Sequence, residues 1–322
     1  VGRGGAGGEL QLTLQQLHYI ITISEAGSLS RAAEMLYVSQ PSLSSAVKEL
    51  ERETGITIFY RSGRGVTPTA DGAEFLLYAR QLYQQYESLL EKYVGESSLK
   101  KKFAVSAQHY SFAVQAFVEM AKAFDMAEYD FAVRETQTGE VISDVANMRS
   151  EIGILYLSDY NRKAIGKMLE ASGLEFHRIV DCRAYAYLWR EHPLASCEGV
   201  TLADLEPYPC LSFEQGQGSS FYLAEELYSP DTFKRTVHVT DRATMLNLMV
   251  GLGGYTVCSG IICGELNGDG YVAVPIIEAE GDTPNMMEIG YIMKKNTFLS
   301  RMGELYLSEI KRYLRRESGQ MK

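Results

Sequence analysis

Between Leu12 and Tyr93 apolar residues recur at intervals of three and four within a background of Ala, Leu, Ser, Gln and Glu, which predicts a helical region. After Gly95-Glu96-Ser97-Ser98 the pattern changes. Short β-branched or aromatic runs (KFAVSA, YDFAVRE, EIGILYL, RAYAYLW, PCLSF, TVHVT, GYTVC, YVAVP, EIGYIM) alternate there with amphipathic stretches. That alternation predicts parallel-type sheets carrying helices on their faces, an α/β architecture behind an all-α start. No repeat of solenoid period is present, and the glycine-dominated segment Val1 to Gly8 reads as part of a flexible tail over residues 1–11.

Within the helical region, Ser28 stands as a serine N-cap before a short helix whose Ala32, Ala33 and Leu36 allow close packing. Tyr37-Val38-Ser39-Gln40-Pro41 then gives a brief turn and a second cap, with Pro41 in the first turn of the next helix, where its missing N–H is harmless. Leu43, Val47 and Leu50 form the core stripe of that helix, and Ser42, Ser45, Lys48, Glu49 and Arg52 fall on the outward side. Two short helices joined by a tight turn, the second showing small polar and basic residues, are built as a helix-turn-helix is for the major groove. The segment Ile56 to Pro68 alternates and turns at two glycines, which predicts a β-hairpin wing with Arg61 and Arg64 at its tip. Those arginines reach phosphate or the minor groove, or are solvated turn charges. From Thr69 a long helix carries Phe75, Ala79, Leu82, Tyr86, Leu89 and Tyr93 at heptad spacing, which predicts a helix pair between subunits, the alternative being packing on its own domain.

With 322 residues, 46% of them hydrophobic, the chain can bury two or three ordinary cores. No apolar run approaches the ~18 residues of a membrane span, and no basic-then-apolar leader is present, so the expected location is the cytoplasm. The net charge of -10 has the wrong sign for a protein held to DNA by bulk electrostatics. Residues 10–94 carry seven basic and nine acidic side chains, so duplex binding there has to rest on a local patch. Five dispersed cysteines (Cys182, Cys197, Cys210, Cys258, Cys263), never in C-x-x-C spacing, read as reduced thiols and give no zinc site. No cofactor or metal is expected.

The stretch LQQLHYIITISEAGSLSRAAEMLYVSQPSLSSAVKELERETGITIFYRSGRGVTPTADGAEFLLYA resembles the N-terminal domain of LysR-type transcriptional regulators. The likeness rests on L-x-Q-L-x-Y, G-S-L-S-R-A-A, S-Q-P-S-L-S, L-E-x-E-x-G, F-x-R-x-G-R-G and T-x-x-G, and continues more weakly through RSEIGILYL, REHPLA, VTLADLEPYP and ATMLNLMVGLGGYTV to about Arg315. It implies a winged helix-turn-helix over 12–69, a linker and dimerisation helix over 70–95, and an effector-binding domain over 99–322. That domain would comprise two periplasmic-binding-protein-like subdomains interleaved in sequence, one near 99–177 and 276–318, the other near 178–275, with crossings near 177–181 and 272–276. DNA-contacting roles fall by resemblance on Gln40, Ser42, Ser45, Lys48 and Arg61, beside Ser39, Arg52 and Arg64 from the spacing. Many members carry arginine where this chain has Ser45, and a serine cannot make the bidentate guanine contact. The implied partners are double-stranded DNA, a small-molecule effector, a second copy of the chain as homodimer or dimer of dimers, and RNA polymerase.

Candidate effector contacts follow from two polar loops that end strands and start helices, Ser106-Ala107-Gln108-His109-Tyr110 and Thr136-Gln137-Thr138. Free amides and the positive end of the helix dipole suit a carboxylate or other anion there, although serine and threonine at such places also simply cap helices. Phe213 and Glu214, after the strand PCLSF, form the expected opposite wall. The sequence has no G-x-S-x-G elbow, H-E-x-x-H motif or P-loop, so an enzyme is not expected. A redox sensor using Cys197 and Cys210 or Cys258 and Cys263 is a second reading, and a solute-binding protein without DNA function a third.

Overall fold

The structure is a computed structural model that describes residues 12–62, 65–94, 101–124, 128–216, 221–228, 233–278 and 285–320. The chain forms two compact units, Val1–Ser97 and Ser98–Lys322. The expected tail over residues 1–11 and Arg64 lie outside the described residues.

In the first unit, α1 (Leu14–Ala26) opens on a capping box between Thr13 and Gln16 and ends at Gly27, whose φ of 63° places it in the left-handed region. α2 (Leu29–Met35) begins after Ser28, which holds the N-cap position without a side-chain cap bond. α3 (Gln40–Thr54) is capped by Ser39, whose hydroxyl accepts from the Ser42 N–H. The hairpin of β1 (Phe59–Ser62) and β2 (Gly65–Pro68) pairs Phe59 with Pro68 and Ser62 with Gly65. Glu51 fastens α3 to this hairpin by accepting the N–H groups of Ile58 and Phe59 at 2.8 and 3.2 Å. α4 (Ala70–Tyr93) starts at Thr69, which accepts from the Gly72 N–H at 2.8 Å. A Cβ on Gly72 would stand 2.0 Å from the Ile58 carbonyl oxygen, so the T-x-x-G pair is a cap plus a close approach of helix to hairpin. Leu17, Ile20, Ile23, Leu43, Val47, Leu50, Ile58 and Leu76 form the core.

The second unit holds two sheets. β3 (Lys101–Ala107), α5 (Ser111–Lys122), β4 (Tyr129–Glu135), α6 (Thr138–Ala146), β5 (Ile152–Leu157), α7 (Arg162–Ala171) and β6 (Leu174–Arg183) alternate strand with helix as the pattern predicts. The five strands lie in the order β4-β3-β5-β12-β6, with β12 (Met286–Lys294) antiparallel between β5 and β6. α11 (Arg301–Gln320) packs on α5. The inserted part runs from β7 (Tyr185–Trp189) through α8 (Leu202–Leu205), β8 (Cys210–Phe213), β9 (Thr236–Val239), α9 (Arg242–Leu252), β10 (Thr256–Cys258) and α10 (Gly264–Asn267) to β11 (Tyr271–Pro275). Its strands form a β10-β7-β11 sheet, antiparallel where the alternation predicts parallel pairing, and a parallel β8-β9 pair, joined by the bridge Cys210 to Tyr255. β6 stays in the first sheet to Arg183 and β7 begins the second at Tyr185, so the outward crossing sits at Ala184, a few residues past the stretch expected from sequence. Pairing with β12 along Leu174 to Arg183 is what carries β6 that far.

Candidate DNA-binding surface and effector cleft

Along α3 the buried positions are Leu43, Val47 and Leu50, and Gln40, Ser42, Ser45, Lys48 and Arg52 are on the solvent side, as the stripe requires. Ser39 and Ser42 share a hydrogen bond at 2.7 Å beside the cap, and Gln40 accepts from the Ser30 hydroxyl at 3.3 Å. Both contacts are exposed, so these groups can exchange partners with a ligand. Arg61 on β1 donates to the Ser44 hydroxyl at 2.9 Å and ties the wing to the recognition helix. Sequence reasoning passed over Tyr37. It stands in the turn ahead of α3 with φ of 54° and is 96% exposed.

The heptad stripe of α4 divides between two surroundings. Ala79 is 2% exposed and belongs to the core of its own unit, and Phe75 is half-buried against the same core. These two positions are therefore not open to a subunit seam. Leu82 (49% exposed), Leu89 (55%) and Tyr93 (75%) turn the lower half of the stripe to solvent, and Tyr86 is half-buried, its ring near Tyr83.

In the second unit a small cavity, partly open to solvent, lies between the two subdomains. His109, Tyr110 and Ser111 from the start of α5, with Met287 of β12, form one wall. Tyr187, Phe213, Glu225, Glu226, Arg242, Met245, Thr256, Cys258 and Asn267 belong to the other. Two side-chain contacts span the cleft. His109 Nδ1 meets Glu225 at 2.9 Å, the His109 N–H donates to the same carboxylate at 2.9 Å, and the imidazole stacks on Phe213 with centroids 3.7 Å apart. Arg242, first residue of α9, pairs with Glu135 at the end of β4. Burial, followed by the charge of Glu225, pushes the Glu226 carboxyl up to about 8, so it keeps its proton at neutral pH. Burial is likewise the main cause that raises the Tyr110 and Tyr156 phenols.

The other sequence-derived candidates take different places. Ser106 is fully buried, donates to Asp144 Oδ2 at 2.6 Å and shares a bond with Ser150 at 2.8 Å, because strand alternation points it away from the cleft. Gln108 is also fully buried: its amide donates to the Thr138 hydroxyl, and its oxygen accepts from the Tyr156 N–H and the Tyr110 hydroxyl. Thr138 passes a hydrogen bond on to the Leu223 carbonyl, and its N–H is given to Gln215. The start of α6 expected to face an anion is thus closed by the protein's own side chains. Thr136 and Gln137 are half-exposed outside the cavity wall, and Glu214 is exposed, its N–H bonded to Val239. Of the nine candidates, His109, Tyr110 and Phe213 line the cavity. Glu225, Glu226 and Arg242 were missed, although Arg242 follows the strand TVHVT at the kind of strand end already used to find the other loops.

The cysteines are free; Cys182, Cys210 and Cys263 are buried, Cys258 half-buried and Cys197 exposed. Burial pushes the Cys182 and Cys258 thiols up to about 12 and raises Cys210 as well, which disfavours the reactive thiolate. Among the described residues no helix is long and apolar enough to cross a membrane.

A winged helix-turn-helix unit followed by a two-subdomain α/β unit with a cleft cavity defines a ligand-responsive DNA-binding regulator. Residues 14–73 match the bacterial regulatory helix-turn-helix protein family of lysR type, and residues 110–315 match the LysR substrate binding domain. The chain belongs to the LysR family, and is a DNA-binding transcription regulator with an effector-binding domain. It is 26% identical over 245 residues to the transcriptional regulator AlsR of Bacillus subtilis, covering 75% of this chain and 77% of that one. It is 28% identical over 213 residues to the RuBisCO operon transcriptional regulator of Allochromatium vinosum, covering 65% and 67%. The fold is shared with a full-length cysteine-to-aspartate variant of OxyR from Pseudomonas aeruginosa, with a TM-score of 0.65, 18% identity and coverage of 94% and 95%. The two curated relatives are named as regulators, not as enzymes.

Proposed function

We propose that this cytoplasmic regulator inserts α3 into the major groove, with Gln40, Ser42 and Ser45 near base edges and Lys48, Arg52 and the wing residue Arg61 toward phosphates. The cleft between its α/β subdomains takes the effector, and a subunit pairing through α4 couples the two events, directly or by engaging RNA polymerase. The observation that carries the effector assignment is the cavity whose walls come from both subdomains, closed by the His109 to Glu225 and Arg242 to Glu135 contacts. A ligand there changes the relation of the subdomains, and it shifts DNA affinity only by its differential affinity for two arrangements.

Salt titration tests the DNA half. If Lys48 contacts a phosphate, Lys48→Ala weakens binding to all sequences about equally and lowers the magnitude of the log K against log[salt] slope by about 0.9. A slope unchanged by Lys48→Ala and Arg61→Ala would exclude these residues from the phosphate contacts. Redox sensing by a cysteine pair is the weaker reading, since burial raises the thiols of Cys210 and Cys258, one member of each candidate pair.

A further inference from the structure

The charges lining the cleft are unevenly committed. Its two cationic candidates among the described lining residues are His109 and Arg242, and each already faces a carboxylate, Glu225 and Glu135 respectively. In the loop that leads into α5, the His109 N–H is given to Glu225 as well. Glu226 differs: it is 6% exposed, accepts the Phe213 N–H at 2.9 Å, and has no cationic partner among the described residues. The same cavity is lined by the rings of Tyr187 and Phe213, aromatic surface that favours a cation over an anion, and by the adaptable side chains of Met245 and Met287.

Resting on the reading of this cleft as the effector site, we infer that the effector is cationic, a protonated amine on an apolar or aromatic body, its charge set against Glu226 and its body against Tyr187, Phe213, Met245 and Met287. A ligand carboxylate would instead enter beside Glu225 with both His109 and Arg242 already engaged, an unfavourable arrangement in a partly desolvated site. The groups facing Glu226 are Glu225, Tyr110, Tyr156 and Cys210, and behind Glu225 stands His109; none of them offers an uncommitted positive charge. Because the free protein holds a proton on Glu226, an amine arriving there expels it to water. Binding then strengthens as pH rises toward about 8 and levels off above.

Isothermal titration of the full-length protein with phenethylamine, phenylacetate and phenylethanol, three probes that share a body and differ in charge, decides the matter. Phenethylamine is expected to bind best, to release up to one proton as judged in buffers of different ionisation enthalpy, and to lose about tenfold or more of its affinity in Glu226→Gln. The glutamine keeps an acceptor for the Phe213 N–H. Should that variant fail to fold, proton release by the wild type carries the same test. Phenylacetate or phenylethanol binding as well as the amine would overturn the cationic inference and leave the cleft as the effector site. Binding of none of the three by folded protein would remove the cleft reading, and the inference with it.

Discussion

Tyr37 is a large side chain held at φ of 54°, a conformation that costs an ordinary L-residue roughly 1–2 kcal/mol. Its side chain is almost wholly exposed and returns nothing to the core. Tyr37→Asn, which tolerates the left-handed region, is therefore expected to raise the melting temperature by a few degrees, read by circular dichroism, and an unchanged or lower value would mean the strain is already relieved. Gly72 is the opposite case. Gly72→Ala pushes a methyl into the Ile58 carbonyl and is expected to destabilise the first unit by about 1–3 kcal/mol in urea melts, since backbone rather than a flexible side-chain tip has to give way. The Thr69 and Ser39 caps could be read from the sequence because their roles are local, set within three residues of chain. Glu225 and Glu226 could not, since adjacent glutamates read as a solvated surface until the fold buries them. For Glu226 the sign of the linkage is definite. Its folded pKa lies near 8, above the ordinary carboxylate value, so between about pH 4.5 and 8 the unfolded chain ionises while the native state keeps its proton, and stability falls over that window. Glu226→Gln lacks this penalty. The variant should gain on wild type by order of a few kcal/mol as pH rises through the window and hold the gain above it, as read from parallel denaturant melts.

At the scale of elements, α4 shows how one periodicity can serve two partners. The 4-3-4-3-4 spacing is real, but its first turns close the core through Ala79 and Phe75, and its later turns bear the exposed Leu82, Leu89 and Tyr93. Spacing alone cannot distinguish these, because an intramolecular core and a subunit seam demand the same stripe. Substitution can. Leu82→Glu is expected to leave the thermal transition of the first unit nearly intact while converting dimer to monomer in light scattering, whereas Ala79→Glu places a charge in the core and unfolds the unit outright. Dimer mass unchanged by Leu82→Glu across the micromolar range would remove this face from the assembly. The helix-turn-helix was legible throughout, since its caps, stripe and wing lie within one run of chain. The helix starts at α5 and α6 were equally legible as elements. What bonds the Thr138 N–H at the start of α6 and the His109 N–H just ahead of α5 comes from Gln215 and Glu225, about 80 and 115 residues away in sequence, and no local pattern carries that information.

At the scale of the molecule, the interleaving of subdomains follows the LysR resemblance, with the outward crossing set at Ala184 by the reach of β6 along β12. That strand has a further consequence, one of timing. The first unit is continuous in sequence and complete by about residue 94, so a growing chain can fold it as soon as it clears the ribosome. The sensor cannot follow in stages, because β12, the strand that joins β5 to β6 at the heart of the larger sheet, is made from Met286–Lys294, and the helix α11 behind it comes later still. Nascent sensor must wait with the β5 edge of a three-stranded sheet and the lone strand β6 unpaired, the inserted subdomain already made, until Met286–Lys294 emerges. A chain interrupted before Met286 therefore carries a finished helix-turn-helix unit and a sensor whose larger sheet still lacks the strand between β5 and β6.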